Sequence, residues 1–233
     1  MAAWTPWVEG EVRGLSQVVR SGDVVVDVGA ALGIYTCVLS RLVGPTGVVV
    51  SVEPLPRLHA GYDAWLRLRH AANVSRYDCA LGAEAHTAKV SVPLRRDRPV
   101  AGRGFVTTGA AGLGSNQEFA GHREYDVPVL TLDQLVNRMD LDRVDFVKAD
   151  VEGAELDFLR GARATIERSR PAVLLEVEDR HLRRYGYSSG DVVGWFRAQD
   201  YDIAVWSEGG WRPVSRVTEG RRNYLFRPVE NPS

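Results

Sequence analysis

The sequence predicts an α/β fold built on a mostly parallel sheet, and three stretches carry that prediction. Residues 22–33 run as a β-branched strand, an acid and a glycine turn, Asp27-Val28-Gly29-Ala30-Ala31-Leu32-Gly33, and residues 34–42 then read as a helix. Strand, glycine turn and helix open a nucleotide-binding unit, because backbone approaches a ligand closely only where Cβ is absent. Val48 to Val52 repeats the buried run and ends in Glu53-Pro54. Val144 to Ala149 repeats it again and enters Asp150-Val151-Glu152-Gly153-Ala154-Glu155 ahead of another helix. Runs this short and apolar suit strands buried on both faces, as in parallel sheets.

The remaining elements follow in order. Trp4 to Arg20 reads as a helix or broken helix covering a sheet edge, so residues 1–21 are expected as an N-terminal helical extension and 22–228 as one domain. An exposed Trp there would mark an interface, including one between copies of the chain. Gly44-Pro45-Thr46-Gly47 is a strong turn, and Leu55 to Ala72 reads as a helix after Pro54. Asn73 to Tyr77 is a third strand, and Thr87 to Leu94 alternates as an exposed one. Arg95 to Glu124 is the least regular region, read either as a substrate lid or as a surface excursion. Pro128 confines Tyr125 to Leu130 to a sheet edge. Thr131 is the expected N-cap of a helix to Met139. A helix over Ala154 to Arg168, a strand over Pro171 to Val177 and a helix capped by Ser189 or Asp191 follow. Tyr201 to Trp206, a Gly209-Gly210 turn and Asn223 to Arg227 close the pattern with an antiparallel hairpin.

Composition excludes several classes. The 233 residues suffice for one large domain, and 45% hydrophobic with 25% charged residues is ordinary for a globular protein. A net charge of −1 argues against a general nucleic-acid binder. No stretch approaches the roughly 20 apolar residues of a membrane span. The first ten residues lack the basic region of a signal peptide. Cys37 and Cys79 form neither a disulfide framework nor a zinc motif and read as buried thiols, which fits a reducing cytoplasm.

Chemistry gathers at the strand ends, where open α/β sheets bind ligands. Asp27, Glu53, Asp78, Asp150 and Glu176 all lie there. Asp27 before the glycines would repel a pyrophosphate and attract a cation. S-adenosylmethionine, carrying an ammonium and a sulfonium, is such a ligand. Glu53 lies where an acid bonds ribose hydroxyls, about 20 residues past the glycine turn. A polar residue at the third tip, Asp78, would bond the adenine amine. The expected cofactor neighbours are therefore Asp27, Gly29, Ala30, Gly33, Tyr35 and Thr36, then Glu53 and Pro54, then Asp78, Cys79 and Ala80, and Asp150. Asp150 is also the first candidate base or orienting group, with Glu152 and Glu176 second and His122 as a loop candidate. Glu176 interrupts an apolar strand, which costs free energy unless it is paired or protonated. Asp150, Glu152, Glu176 and Glu178 are also hard oxygen ligands for a divalent ion. Helix-dipole stabilisation already accounts for acids such as Glu155, and no metal is expected.

With these residues in view, the chain resembles the FkbM-type S-adenosylmethionine-dependent methyltransferases. The resemblance rests on Asp27-Val28-Gly29-Ala30-Ala31-Leu32-Gly33, Glu53-Pro54, Val129-Leu130-Thr131-Leu132-Asp133 and above all Lys148-Ala149-Asp150-Val151-Glu152-Gly153-Ala154-Glu155, in order from about residue 22 to 227. Ala31 departs from it, since the family's pattern usually has Asn there. The resemblance implies a Rossmann-like class I methyltransferase fold, a seven-stranded mostly parallel sheet with one antiparallel edge strand and helices on both faces. It also implies methyl transfer, commonly to oxygen, on a small-molecule acceptor such as a natural product or sugar. Two rival readings are a nicotinamide-dependent oxidoreductase and a binding module without catalysis. The first calls for G-x-G-x-x-G, where this chain has Gly-Ala-Ala-Leu-Gly.

Overall fold

A computed structural model describes residues 10–55, 71–100 and 103–229. The start of the expected N-terminal helix and most of the helix expected over residues 55–72 lie outside the described residues. The chain begins with a 3-10 helix, Gly10–Gln17, then β1 (Val24–Val28), α1 (Ile34–Val43), β2 (Val48–Val52) and β3 (Val74–Tyr77). The strands β4 (Ala80–Leu81), β5 (His86–Arg95), β6 (Arg98–Pro99), β7 (Phe105–Val106) and β8 (Gly121–Leu130) come next. They lead to α2 (Leu132–Arg138), β9 (Phe146–Ala149), α3 (Glu155–Gly161), α4 (Arg163–Ser169) and β10 (Ala172–Glu176). The chain continues with α5 (Asp179–Leu182), a 3-10 turn (Arg183–Tyr185), α6 (Ser189–Arg197), β11 (Tyr201–Ser207), β12 (Gly210–Val214) and β13 (Asn223–Pro228). None of the described helices is long and apolar enough to cross a membrane.

The main sheet has eight strands in the order β12-β11-β13-β10-β9-β1-β2-β3. From β3 to β10 neighbouring strands pair in parallel, and β13 is antiparallel to both β10 and β11. The sheet has eight strands rather than the expected seven, and its edge strand β12 is antiparallel to its neighbour β11, as expected; a second antiparallel strand, β13, lies inside the sheet between β10 and β11. A two-residue turn makes the edge strand. Glu208 and Gly209 both have positive φ, at 52° and 76°, and Ser207 pairs with Gly210 across them. A turn with two left-handed residues matches strand twist and closes a hairpin.

Hydrophobic alternation puts helices on both faces. Val26, Val28 and Val147 pack with Leu132, Phe158 and Phe196 of α2, α3 and α6 on one side. Val25, Val49 and Phe146 pack with Leu15 of the first 3-10 helix and Leu39 of α1 on the other. Two capping residues fix helix starts. Thr131 caps α2 in a reciprocal box with Gln134. Ser188, rather than Ser189 or Asp191, caps α6, with Asp191 closing the box. The expected helix over Ala154 to Arg168 is two helices broken at Ala162 (φ −105°). Asp133 takes amides of Ala164 and Thr165 and so caps the second of them.

A second sheet, β4-β8-β5-β6 with β7 also on β5, is built from the segment expected to be least regular. Nine register pairs join β5 to β8, His86↔Val129 through Leu94↔Gly121. β5 is not an exposed strand, since Val90 and Val92 are buried. β8 is covered by β5 on one side and on the other only by the two residues of β4, at Val129 and Leu130, so the amide-free Pro128 lies on the stretch of β8 that keeps an edge among the described residues.

The glycine turn sets the relation of the strand tips. Gly29 has φ 72°, and a Cβ there would lie 2.0 Å from the Asp150 carbonyl oxygen. Ala31 adopts φ 45°, a left-handed conformation that Asn tolerates better than Ala. Gly29→Ala is therefore expected to destabilise the fold by more than about 2 kcal/mol in urea denaturation. Ala31→Asn is expected to stabilise it by about 1 kcal/mol. A destabilised Ala31→Asn variant would contradict the strain assigned to this turn.

Candidate active site

The carboxyl ends of β3, β2, β1 and β9 open into one cavity, roofed by the second sheet. Its floor carries Gly29, Glu53, Pro54, Cys79, Asp150 and Glu152. Its roof carries Val90 and Val92 of β5 and Phe105 and Val106 of β7. The stretch expected to be either a lid or a surface excursion thus contributes the roof. That roof is fastened on its far side. The Tyr185 hydroxyl donates to the Val106 carbonyl at 2.6 Å, and the Ala111 amide donates to the Arg184 carbonyl at 2.6 Å. The Arg184 guanidinium lies 3.8 Å from the centre of the Phe105 ring.

Glu53 sits at the second tip, 6% exposed. One carboxylate oxygen accepts the Ala31 amide at 2.9 Å and the other accepts the Leu55 amide at 2.8 Å. The two amides fix the carboxylate in place. Burial raises its pKa, with the two amides opposing the rise. Leu55, Cys79, Ala80 and Leu81 form an apolar wall beside it.

Asp27 does not face this cavity. It is one residue short of the strand end, and alternation turns it toward α1. It is 1% exposed, accepts from the Thr36 hydroxyl, and lies in register between Ser51 and Lys148. Burial pushes its pKa up to about 6, against the Thr36 hydroxyl and the Lys148 charge. Lys148, itself buried, sits 5.1 Å from the centre of the Tyr35 ring. Ala30, Gly33, Tyr35 and Thr36 are likewise absent from the cavity lining, while Gly29 and Ala31 are present. Asp78 is displaced too. Its side chain is 61% exposed and pairs with Arg76 at 3.1 Å, so the third tip offers Cys79 and Ala80 instead.

The acids after β9 divide by position. Asp150 and Glu152 line the cavity. Glu155 is buried behind them, with one oxygen accepting the Gly153 amide at 3.0 Å and the other without a partner. Burial pushes its pKa up to about 7. Glu176 lies outside the lining. Burial and the neighbouring Asp150 charge push it up to about 11, so it is protonated beside Asp150 and Glu178. Glu178 is held down to about 2, where the Arg180 guanidinium overcomes the cost of burial. Glu152 is pushed up to about 8 by burial and by Asp150. His122 stays away from the cavity, opposite Pro93 on the second sheet, with both ring nitrogens buried and unpartnered. Among the described residues, no group of three or more His, Cys, Asp or Glu is arranged to hold a metal ion.

Sequence reasoning passed over His181, Arg184 and Tyr185. His181 Nδ1 lies 3.3 Å from a Glu152 carboxylate oxygen. The available signal was the cluster Arg180-His181 and Arg183-Arg184-Tyr185 directly after the paired acids Glu176 and Glu178.

The raised carboxyls give stability a pH dependence. Asp27, Glu155 and Glu152 bind protons more tightly folded (about 6, 7 and 8) than at their ordinary values of 3.8 and 4.5. Their contribution is complete below the ordinary values and is lost as pH rises through the folded ones. The melting temperature of the ligand-free protein is therefore expected to fall between about pH 5 and pH 8.5. Glu155→Gln should flatten that fall, and a profile rising through this range would contradict the buried-carboxyl assignment.

Comparison with known proteins agrees with this geometry. The family model described as the methyltransferase FkbM domain matches residues 27–203. "Methyltransferase 1" of Beauveria bassiana is 28% identical over 143 residues, covering 59% of this chain and 57% of that protein. Methyltransferase sdnD of Sordaria araneosa is 26% identical over 165 residues, covering 60% of this chain and 61% of that protein. The chain thus spans about three fifths of the length of the curated relatives it matches. Among solved structures, methyltransferase FkbM from Methylobacillus flagellatus superposes with a TM-score of 0.53 at 18% identity, covering 88% of this chain and 43% of that one. Aeropyrum pernix fibrillarin with natively bound S-adenosyl-L-methionine gives 0.50 at 13% identity, covering 93% and 72%. Joined to the strand order and the cavity at the carboxyl ends, the match over residues 27–203 establishes that this chain belongs to the FkbM family of S-adenosylmethionine-dependent methyltransferases.

Proposed function

We propose that this methyltransferase acts on a hydroxyl group of a small molecule and forms a methyl ether. The observation that carries the reading is the cavity itself. Across the strand tips it runs from an apolar wall at Cys79 and Ala80, past the fixed carboxylate of Glu53, to the acids Asp150 and Glu152.

These residues fit S-adenosylmethionine, which when bound supplies a methyl group activated by its sulfonium. The wall of Leu55, Cys79, Ala80 and Leu81 receives the adenine ring by apolar contact. Glu53, a carboxylate held at the second strand tip, accepts the ribose hydroxyls. Gly29 leaves space at the centre, and Asp150 accepts the ammonium. Glu152 takes the proton of the acceptor hydroxyl. In that step the oxygen–hydrogen bond breaks, the oxygen bonds the methyl carbon, and the carbon–sulfur electron pair stays on sulfur. Protein side chains form no covalent bond. They contribute orientation and one proton acceptor. The apolar roof of Val90, Val92, Phe105 and Val106 favours a small acceptor over a macromolecule.

Glu53→Ala is expected to weaken S-adenosylhomocysteine binding in calorimetry by roughly 1–3 kcal/mol while leaving the protein folded. NAD should show no binding in the same cell. Asp150→Asn should weaken S-adenosylhomocysteine too, whereas Glu152→Gln should keep its affinity. Turnover requires a panel of hydroxyl- and amine-bearing small molecules with labelled S-adenosylmethionine, read by mass spectrometry. Labelled ethers are the expected product, and Glu152→Gln should make them about 10²–10⁴-fold more slowly. Labelled amines with no ethers would overturn the oxygen assignment.

A further inference from the structure

Glu152 is unusual in its backbone and in its surroundings. It adopts φ 54°, a left-handed conformation that costs free energy in a residue with a Cβ. Gly153 follows at φ 107°, where a Cβ would lie 2.4 Å from the His181 carbonyl oxygen. Two consecutive positive-φ residues thus bring the backbone of α5 directly against the turn after β9. Only a glycine at 153 permits that approach.

The approach places the His181 ring beside Glu152. Nδ1 is 3.3 Å from a Glu152 oxygen, and the side chains are 6% and 13% exposed. Nε2 of His181 is buried and has no hydrogen-bond partner. A neutral imidazole has one N–H and one bare nitrogen. An N–H at Nε2 would be an unpaired buried donor, a costly arrangement, whereas a bare nitrogen there is tolerated better. The proton therefore belongs on Nδ1, aimed at Glu152.

We propose that His181 is a positioning residue for Glu152, its Nδ1–H holding one carboxylate oxygen so that the other faces the cavity. The proposal rests on the reading of Glu152 as the proton acceptor and names the group that orients it. His181 does this as a neutral ring. Burial and the nearby Arg180 charge hold its own pKa down to about 4. The other groups facing Glu152 are Asp150 and Glu155 from its own segment, Arg103 from the roof, and Arg180 and Arg184 from the far side. The His181 contact, at 3.3 Å from Nδ1 to a Glu152 oxygen, is that of a neutral N–H donor facing the carboxylate.

The test needs no acceptor. The ligand-free 233-residue chain is labelled with ¹³C at glutamate carboxyls, and Glu152→Gln assigns the Glu152 resonance by its loss. In His181→Leu the titration midpoint of Glu152 should rise by about one pH unit, a tenfold change, because a donor to the ionised form is lost. His181→Asn retains an N–H at the same place and should restore most of the shift. An unmoved midpoint in His181→Leu would overturn the proposal. Should that variant fail to fold, ¹⁵N spectra of the wild-type ring decide. A proton on Nδ1 supports the proposal and a proton on Nε2 refutes it. Calorimetry with S-adenosylhomocysteine on the same samples keeps the two ideas separate. Wild type that titrates as described but binds no S-adenosylhomocysteine would fail the methyl-transfer reading, not the Glu152–His181 contact.

Discussion

The structure depends on the contact between Gly29 and the Asp150 carbonyl. The Gly29 amide donates to Val52 at the end of β2, and the Asp150 amide donates to Val28 at the end of β1. Three neighbouring tips are tied together at one point, and a methyl group added to Gly29 would wedge them apart. With the tips tied, the loops after β1, β2 and β9 have no freedom to splay. Gly29, Glu53 and Asp150 then reach the same cavity although they come from distant parts of the sequence. The left-handed Ala31 belongs to the same constraint, since its amide is one of the two that hold Glu53.

The ionisable groups around the cavity are arranged so that few carry charge at once. Several carboxyls crowd the ends of β9 and β10, and full ionisation there would be prohibitive in a buried setting. Protonation of Glu176, and the guanidinium beside Glu178, relieve the crowding on one side. Asp27 is handled separately on the opposite face, in a row with Ser51 and Lys148 that lends rigidity to the sheet centre. An acid expected at the ligand from its place in the chain is instead buried among the strands, bonded to Thr36 and away from the cavity lining.

Much of this was legible in the sequence because it is local. Buried β-branched runs, the glycine turn, Pro54 and the Thr131 cap each specify structure within a few residues. Glu53 was legible for the same reason, at a strand end with a fixed distance from the turn. Asp27 was misplaced because one position along a strand reverses the direction of a side chain, and Val28, not Asp27, ends β1. The roof was not legible because β6 and β7 are two-residue strands that exist through pairing with β5. His181 was hidden for a similar reason. Its partner lies on another strand tip, and only the close approach at Gly153 brings them together.

The position of β13 has a consequence for how the molecule is made. Residues 223–228 are inserted between β10 and β11, both synthesised earlier. Until they emerge from the ribosome, β10 presents an unpaired inner edge and the β11–β12 hairpin has nothing to join. Such an edge is a template for other chains. The half of the sheet from β3 to β10 is assembled by parallel crossovers and can form ahead of it. Completion waits for a non-local pairing, which is slow by its topology. Nascent chains are therefore most exposed to misassociation in the interval before residues 223–228 emerge, when most of the domain is already built.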